Sequence, residues 1–382
     1  MINIDKLIGR IDELGNPSVV GLDPSLSMMP AALADEMYDA HGRTPQAVAE
    51  MFSLYNEAII DAVCDIVPAV KPQVAMYEMY GADGILAYVR TCGYAAMKGL
   101  YVIGDVKRGD ISSTAEAYAA HLGGVEIGPV GGAAADGFAE APELGDEAIR
   151  YDLWNEDAVT VNPYLGTDGI KPFADACRLA GKSIFVLVKT SNKSSAELQD
   201  LIVRGGVVGD NCDDVEAPLY EHVGRLVERW GSGLVGSYGY SAVGAVVGAT
   251  HPRVGARLRQ LMPHTFFLVP GYGAQGATAA ELKGFFDANG RGCIVNSSRG
   301  IIAAWQKGRP ADEGPISRKP ETMTAATAHT PANAAHTSAN AAPARTHSED
   351  TRQSLNAVAS AARAAALAMR DDIRENIGCP TA

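Results

Sequence analysis

The sequence predicts an α/β protein of the (β/α)8 (TIM) barrel class, and three observations carry that prediction. About eight short apolar runs recur between residues 18 and 296, and a stretch with helical apolar spacing follows each of them. The runs are apolar at successive positions, as strands of a parallel sheet covered on both faces require. Each run also ends in its chemically distinctive residues, and in a barrel the C-terminal strand ends form a single rim.

Residues 1–14 have helical spacing with charges throughout, which predicts an N-terminal helix. Ser18-Val-Val-Gly-Leu runs into Asp23. A helix over 44–64 (Val48, Phe52, Tyr55, Ile59, Val63) leads to Ile66-Val-Pro-Ala-Val and Lys71. A helix over 83–97 leads to Tyr101-Val-Ile-Gly, which breaks into Asp105, Lys107 and Asp110. Alternation along a strand puts Asp105 and Lys107 on one face. Gly109 lets the chain turn, and Asp110 with Ser112 and Ser113 opens a helix continuing over 115–121. Asp110 reads either as that helix's N-cap beside a surface ion pair or as a functional carboxylate.

Residues 123–150, rich in Gly, Ala and acids, form a loop excursion after the third βα unit. The alternation then resumes. Strands are expected at 158–162, 183–189, 243–249, 265–270 and 292–296. Helices are expected at 170–180, 216–230, after His251-Pro252, and at 278–288. No G-x-G-x-x-G follows the first run, which leaves a doubly wound open sheet as the weaker alternative. Beyond Trp305 the composition changes to Ala, Thr, Pro, Asn and His without periodicity, the mark of a disordered, low-complexity insertion at 309–350. Leu355, Val358, Ala362, Met369 and Ile373 then trace one helical stripe over 353–375, stopped by Gly378. The expected organisation is therefore a barrel over 1–308, the insertion, and a closing helix of the same barrel at 351–378.

The formal charge of −13 argues against nucleic acid or an anionic membrane surface as a partner, so an anionic ligand must be captured by local groups. The six cysteines show no CxxC pair, and no apolar run reaches spanning length or forms a leader; a cytoplasmic protein is expected. On the rim, Pro270-Gly-Tyr-Gly-Ala-Gln275-Gly276 and Asn296-Ser-Ser298-Arg299-Gly300 close the last two strands. Glycine-rich backbone N–H groups and a bidentate Arg suit phosphate there. Across the rim, Lys71, Asp105 and Lys107 are expected to meet. No metal-ligand spacing and no Cys–His or Ser–His pair appears, so neither a metal site nor an activated nucleophile is expected. A lysine between carboxylates keeps its proton; it is a poor amine nucleophile but a good acid and a good partner for developing negative charge. The rim favours making and protonating a carbanion on a phosphorylated substrate.

The motifs GLDP, VKPQVAMYE, DVKRGDI, TVNPYLG, LVKTSN, PGYGAQG and NSSRG, in this order through residues 1–305, together resemble the orotidine 5′-phosphate decarboxylase family, type 2 (bacterial) subfamily. The resemblance resumes at 353–375; the long 309–350 stretch departs from the pattern. It implies cofactor-free, metal-free conversion of orotidine 5′-phosphate to uridine 5′-phosphate and carbon dioxide. Lys107 would stabilise the C6 carbanion and protonate it. Asp105 would face the substrate carboxylate, and Lys71 would hold Asp105 and the ribose. Asp110 would reach the neighbouring subunit's site in an obligate homodimer, with Thr114 nearby. Asp23 would bind ribose hydroxyls, Ser191 the pyrimidine edge, and Gln275 and Arg299 the phosphate, with Pro270 and Ser298 among the substrate contacts. Two other readings stay open. One is a magnesium-dependent sugar-phosphate decarboxylase or aldolase, against which Lys71 argues. The other is a non-catalytic phosphate-binding barrel, against which the intact Lys71, Asp105, Lys107 and Asp110 set argues.

Overall fold

The computed structural model describes residues 3–128, 149–205, 215–273, 276–307 and 347–378. Eight parallel strands close on themselves: β1 (Ser18–Leu22), β2 (Ala69–Pro72), β3 (Tyr101–Arg108), β4 (Ala158–Val161), β5 (Ser183–Lys189), β6 (Ser241–Val247), β7 (Thr265–Pro270) and β8 (Cys293–Ser297). Pairing of Ser18 with Val295 seals β1 to β8, so the sheet is the predicted barrel and not an open one. The two faces of each apolar run enter different cores. Val19, Tyr101, Ile103, Phe185, Phe266 and Ile294 fill the barrel interior, whereas Val20, Val102, Val186 and Val295 face the helices.

The N-terminal helix α1 (Asn3–Leu14) plugs one mouth of that interior with Ile4, Leu7, Ile8 and Ile11. Asn3 ties it to the carbonyls of Gly181 and Asp157, within two residues of the starts of β5 and β4, so the plugged mouth is where strands begin. The opposite mouth is left for chemistry.

Around the barrel run α2 (Ala31–His41), α3 (Pro45–Val63), α4 (Gly81–Met97), α5 (Ser112–Gly123), α6 (Thr167–Ala180), α7 (Leu219–Gly231), α8 (Pro252–Leu261) and α9 (Glu349–Ile377). Thr44 caps α3 through the Ala47 amide at 3.2 Å, with Pro45 in its first turn. Helix α9 covers the outer core with Val358, Ala362, Ala366, Met369 and Ile373, all buried. It begins earlier than its apolar stripe because Ser348 accepts from the Thr351 amide, and it ends where Gly378 turns left-handed at φ 72°.

Four expectations are revised. Residues 278–288 hold a 3-10 helix, Ala279–Phe285, instead of an α-helix: its buried residues Ala279, Leu282 and Phe285 recur every third position, the 3-10 period. Asp110 is not an N-cap. Ile111 is extended at the start of α5, and the Asp110 carboxylate accepts from the Ile111 amide at 2.8 Å. Residues 123–150 begin and end in an antiparallel ribbon, Val125–Ile127 against Ile149–Tyr151, and 129–148 lie outside the described residues. A second ribbon, Ile202–Gly205 against Val215–Pro218, precedes α7 and shortens it at its start. The insertion expected at 309–350 falls outside the described residues up to 346. None of the described helices is long and apolar enough to cross a membrane.

Candidate active site

The open mouth holds a cavity of about 500 Å³. Of the residues singled out in the sequence, Asp23, Lys71, Asp105 and Lys107 line one part of it, and Ser191, Pro270, Ser298 and Arg299 line the rest. Asp110 and Thr114 do not line it; Thr114 is exposed on α5. Gln275 lies outside the described residues.

Asp105 is the hub. Its Oδ2 accepts from Lys71 Nζ at 2.7 Å and Gln73 Nε2 at 2.9 Å, and its Oδ1 accepts from Lys107 Nζ at 2.5 Å and Thr160 Oγ1 at 2.9 Å. Neighbouring strands make this convergence: β2 supplies Lys71, β3 supplies Asp105 and Lys107, and β4 supplies Thr160. Lys107 meets Asp105 without simple alternation, because its backbone is left-handed (φ 46°) and the β3–β4 register shifts between Gly104 and Arg108. Thr160 anchors that bend by accepting from the Lys107 amide at 2.9 Å. A non-glycine residue held there stores strain of order 1 kcal/mol or more, which the surrounding hydrogen bonds must offset.

Burial alone would raise the Asp105 carboxyl, but the charges and hydrogen bonds of Lys71 and Lys107 hold it well below the usual carboxylate range. Burial alone would lower Lys71; the Asp105 and Asp23 carboxylates outweigh it and push the ammonium above its ordinary value. Lys71 Nζ lies 3.9 Å from Asp23 Oδ1 and fills the place between the two carboxylates that a divalent ion would need. Among the described residues no group of three or more His, Cys, Asp or Glu side chains could hold a metal.

Farther round, Asn296 donates to Ser298 Oγ at 3.3 Å, while its own Oδ1 is buried without a hydrogen-bond partner, as is Asp23 Oδ1. Buried acceptors left open in a cavity wall await a ligand's donors. The glycine of GLDP is sterically required here, since a Cβ on Gly21 would sit 1.9 Å from Ser298 Oγ. Gly248 plays the same part for Ser191, whose Cα would lie 2.8 Å from an added Cβ. Thr190, beside Ser191, is held from both its amide and its hydroxyl by Gln199, at 3.0 and 2.8 Å.

Sequence reasoning missed Gln73, Thr160, Thr190, Asn192 and Tyr272, all of which line the cavity. Gln73 stood two positions after Lys71, on the same strand face, and could have been found by that spacing. The others stand in the motifs TVNPYLG, LVKTSN and PGYGAQG, beside residues that were singled out, and only the fold shows that they too face the cavity.

A sequence profile described as "Orotidine 5′-phosphate decarboxylase / HUMPS family" matches residues 147–313. The chain is 40% identical over 308 residues to an orotidine 5′-phosphate decarboxylase of Caldicellulosiruptor bescii, covering 80% of this chain and 91% of that one. It is 38% identical over 323 residues to that of Rhodopirellula baltica, covering 84% and 95%. Among solved structures, Leishmania donovani OMP decarboxylase aligns with a TM-score of 0.55 at 30% identity, covering 82% of this chain and 94% of that one. The UMP synthase of the same organism aligns with a TM-score of 0.55 at 32% identity, covering 79% of this chain and 52% of that one.

Proposed function

This chain belongs to the orotidine 5′-phosphate decarboxylase / HUMPS family, and on that premise we propose how its rim cavity works. The chain is a carbon–carbon lyase, a decarboxylase of orotidine 5′-phosphate that yields uridine 5′-phosphate and carbon dioxide. The observation that supports this reading most is the Lys71–Asp105–Lys107 chain of hydrogen bonds, lying in one cavity with Arg299.

In the proposed step the C6–carboxylate bond breaks, carbon dioxide leaves, and the electron pair remains on C6. The Lys107 ammonium stabilises that carbanion and then gives C6 a proton, recovering its own from solvent. Asp105 faces the substrate carboxylate and holds Lys107 through its 2.5 Å contact. Lys71 holds Asp105 and reaches the ribose with Asp23. Ser191 reads the pyrimidine edge, and Arg299 with Gln275 grips the phosphate, flanked by Pro270 and Ser298. No metal or cofactor takes part, and the reaction belongs to the cytoplasm.

Asp110 serves the neighbouring subunit of a homodimer, with Thr114 beside it on α5. Exposed apolar side chains around it support this: Ile111, Tyr164 and Leu165 are 48, 81 and 46% exposed. The Asp110 carbonyl and Leu165 Cβ each lie 3.1 Å from the point where a Gly169 Cβ would stand, so this patch adjoins Asp110. Mixing Asp110→Ala with Lys107→Ala proteins, each inactive alone, should restore activity once subunits exchange. Exchange without recovery would confine Asp110 to its own subunit.

The deciding assay follows orotidine 5′-phosphate consumption by the full chain with excess chelator. Turnover should be unaffected. A wild-type protein that leaves the substrate intact overturns the reading, and activity abolished by chelator and restored by magnesium would replace it with a metal-dependent one.

A further inference from the structure

The loop after β7 faces the cavity with Pro270, Gly271 and Tyr272. Gly271, Gly273 and Gly276 all have positive φ, at 110°, 71° and 95°. Glycines confer the conformational freedom that a bound anion must remove. Past Pro270, whose carbonyl accepts from the Ala249 amide, the backbone contacts among the described loop residues are short-range: Gly273 donates to Ala277 and Gly276 to Gly273. The firm attachment comes from elsewhere. Tyr272 donates its hydroxyl to Asp372 Oδ2 at 2.5 Å, across 100 residues of sequence.

Asp372 sits on α9 between Met369 and Ile373, both of which are buried against the barrel. Its second oxygen is taken by Asn376 Nδ2 at 3.1 Å, which aims Oδ2 at the tyrosine. Burial and this carboxylate push the Tyr272 phenol upward, so it remains a donor. Tyr272 and Arg299 together form the partition between the rim cavity and an outer cleft of about 610 Å³ against α9.

We propose that Asp372 is a positioning residue for phosphate recognition: from the closing helix it holds the Tyr272 hydroxyl and so sets Tyr272, with Gly271 and Gly273 on either side, against the substrate phosphate. The assignment rests on the proposed function for its substrate. It gives α9 a role beyond covering the barrel, because the loop's geometry depends on a side chain from the far end of the chain.

The test compares the full chain with Asp372→Ala, Asp372→Asn and Tyr272→Phe variants. Asp372→Ala should raise KM for orotidine 5′-phosphate roughly tenfold, the scale of one hydrogen bond to a charged group. Its kcat/KM for phosphate-free orotidine should be unchanged. Asp372→Asn keeps an acceptor of the same size and should recover most of the loss. Adding Tyr272→Phe to Asp372→Ala should cost nothing further, as for two ends of one bond. Equal losses on both substrates, or no loss on either, would overturn the assignment. A calorimetric titration with inorganic phosphate needs no turnover and separates the two readings. Should the wild type leave orotidine 5′-phosphate intact, the proposed function falls, and Asp372 is judged by this arm alone. Roughly tenfold weaker phosphate binding by Asp372→Ala supports it; affinities equal, or undetectable in both, overturn it.

Discussion

At one end of the rim cavity Asp105 accepts from four side chains on or just past the ends of three neighbouring strands; at the other, Arg299 stands exposed beside a loop of glycines. The first end is assembled before any ligand arrives. Its ion pair is buried, with Lys71 and Asp105 side chains only 5 and 10% exposed, so it forms part of the fold's own electrostatics. The second end is tied to the fold through the Tyr272–Asp372 hydrogen bond, and its glycines leave the rest of the ordering to what it binds. A charge network in strands suits chemistry, which needs atoms within fractions of an ångström. Glycine loops with an arginine suit capture, where the ligand's own charge does the ordering.

The sharpest way to break this contrast is Lys107→Ala. A preorganised donor is worth on the order of 10²–10³ in rate, and one that is also the acid should be worth more. Steady-state kinetics should show kcat falling at least that far while uridine 5′-phosphate still binds. A variant keeping a tenth of its activity would sink the assignment. Arg299→Ala probes the other end: KM for orotidine 5′-phosphate should rise by roughly 10², the worth of a charged bidentate grip. If phosphate binding energy also organises the chemistry, kcat falls with it. An unchanged KM would place the phosphate elsewhere.

The smallest effect is on stability against pH. Asp105's folded carboxyl lies below its unfolded value of about 4, so the stability it contributes is complete above that pH and is lost as pH falls further. In denaturant unfolding below about pH 4, the wild type should lose stability more steeply than Asp105→Asn, by up to roughly 1.4 kcal/mol per pH unit. Arg299→Ala should follow the wild-type curve. Parallel curves for wild type and Asp105→Asn would mean that the carboxylate is not part of the fold's electrostatics.

The barrel was legible because its strands are short, apolar on both faces and tipped with charge. Tyr101 to Lys107 shows all three features in seven residues. Lys71, Asp105 and Lys107 were legible for the same reason: a charge directly after a buried run has nowhere to go but the rim. Gln73 and Thr160 were not, because an amide or hydroxyl gains meaning only from the carboxylate it meets, and that meeting depends on the β2–β3–β4 register and the bend at Lys107. Of the two readings open for Asp110, the cap falls because Ile111 is extended and the carboxylate turns back on its own neighbour's amide. Helix α2 was missed since only Leu33, Ala34 and Met37 mark its buried side. Tyr272 and Asp372, a hundred residues apart, had no spacing to betray them.

Helix α9 also bears on how the protein is made. It packs on α2 and α3, and Thr351 donates to the Ala32 carbonyl across 319 residues. On a ribosome adding about 5–20 residues per second, the surface that α9 will cover waits roughly 15–60 s for its partner. Throughout that interval Val48, Phe52 and Ile59 of α3 belong to an unfinished nascent chain. Production should therefore depend on chaperone capacity more than the finished enzyme's stability would suggest, and slowing synthesis late in the message should lower the yield of soluble protein.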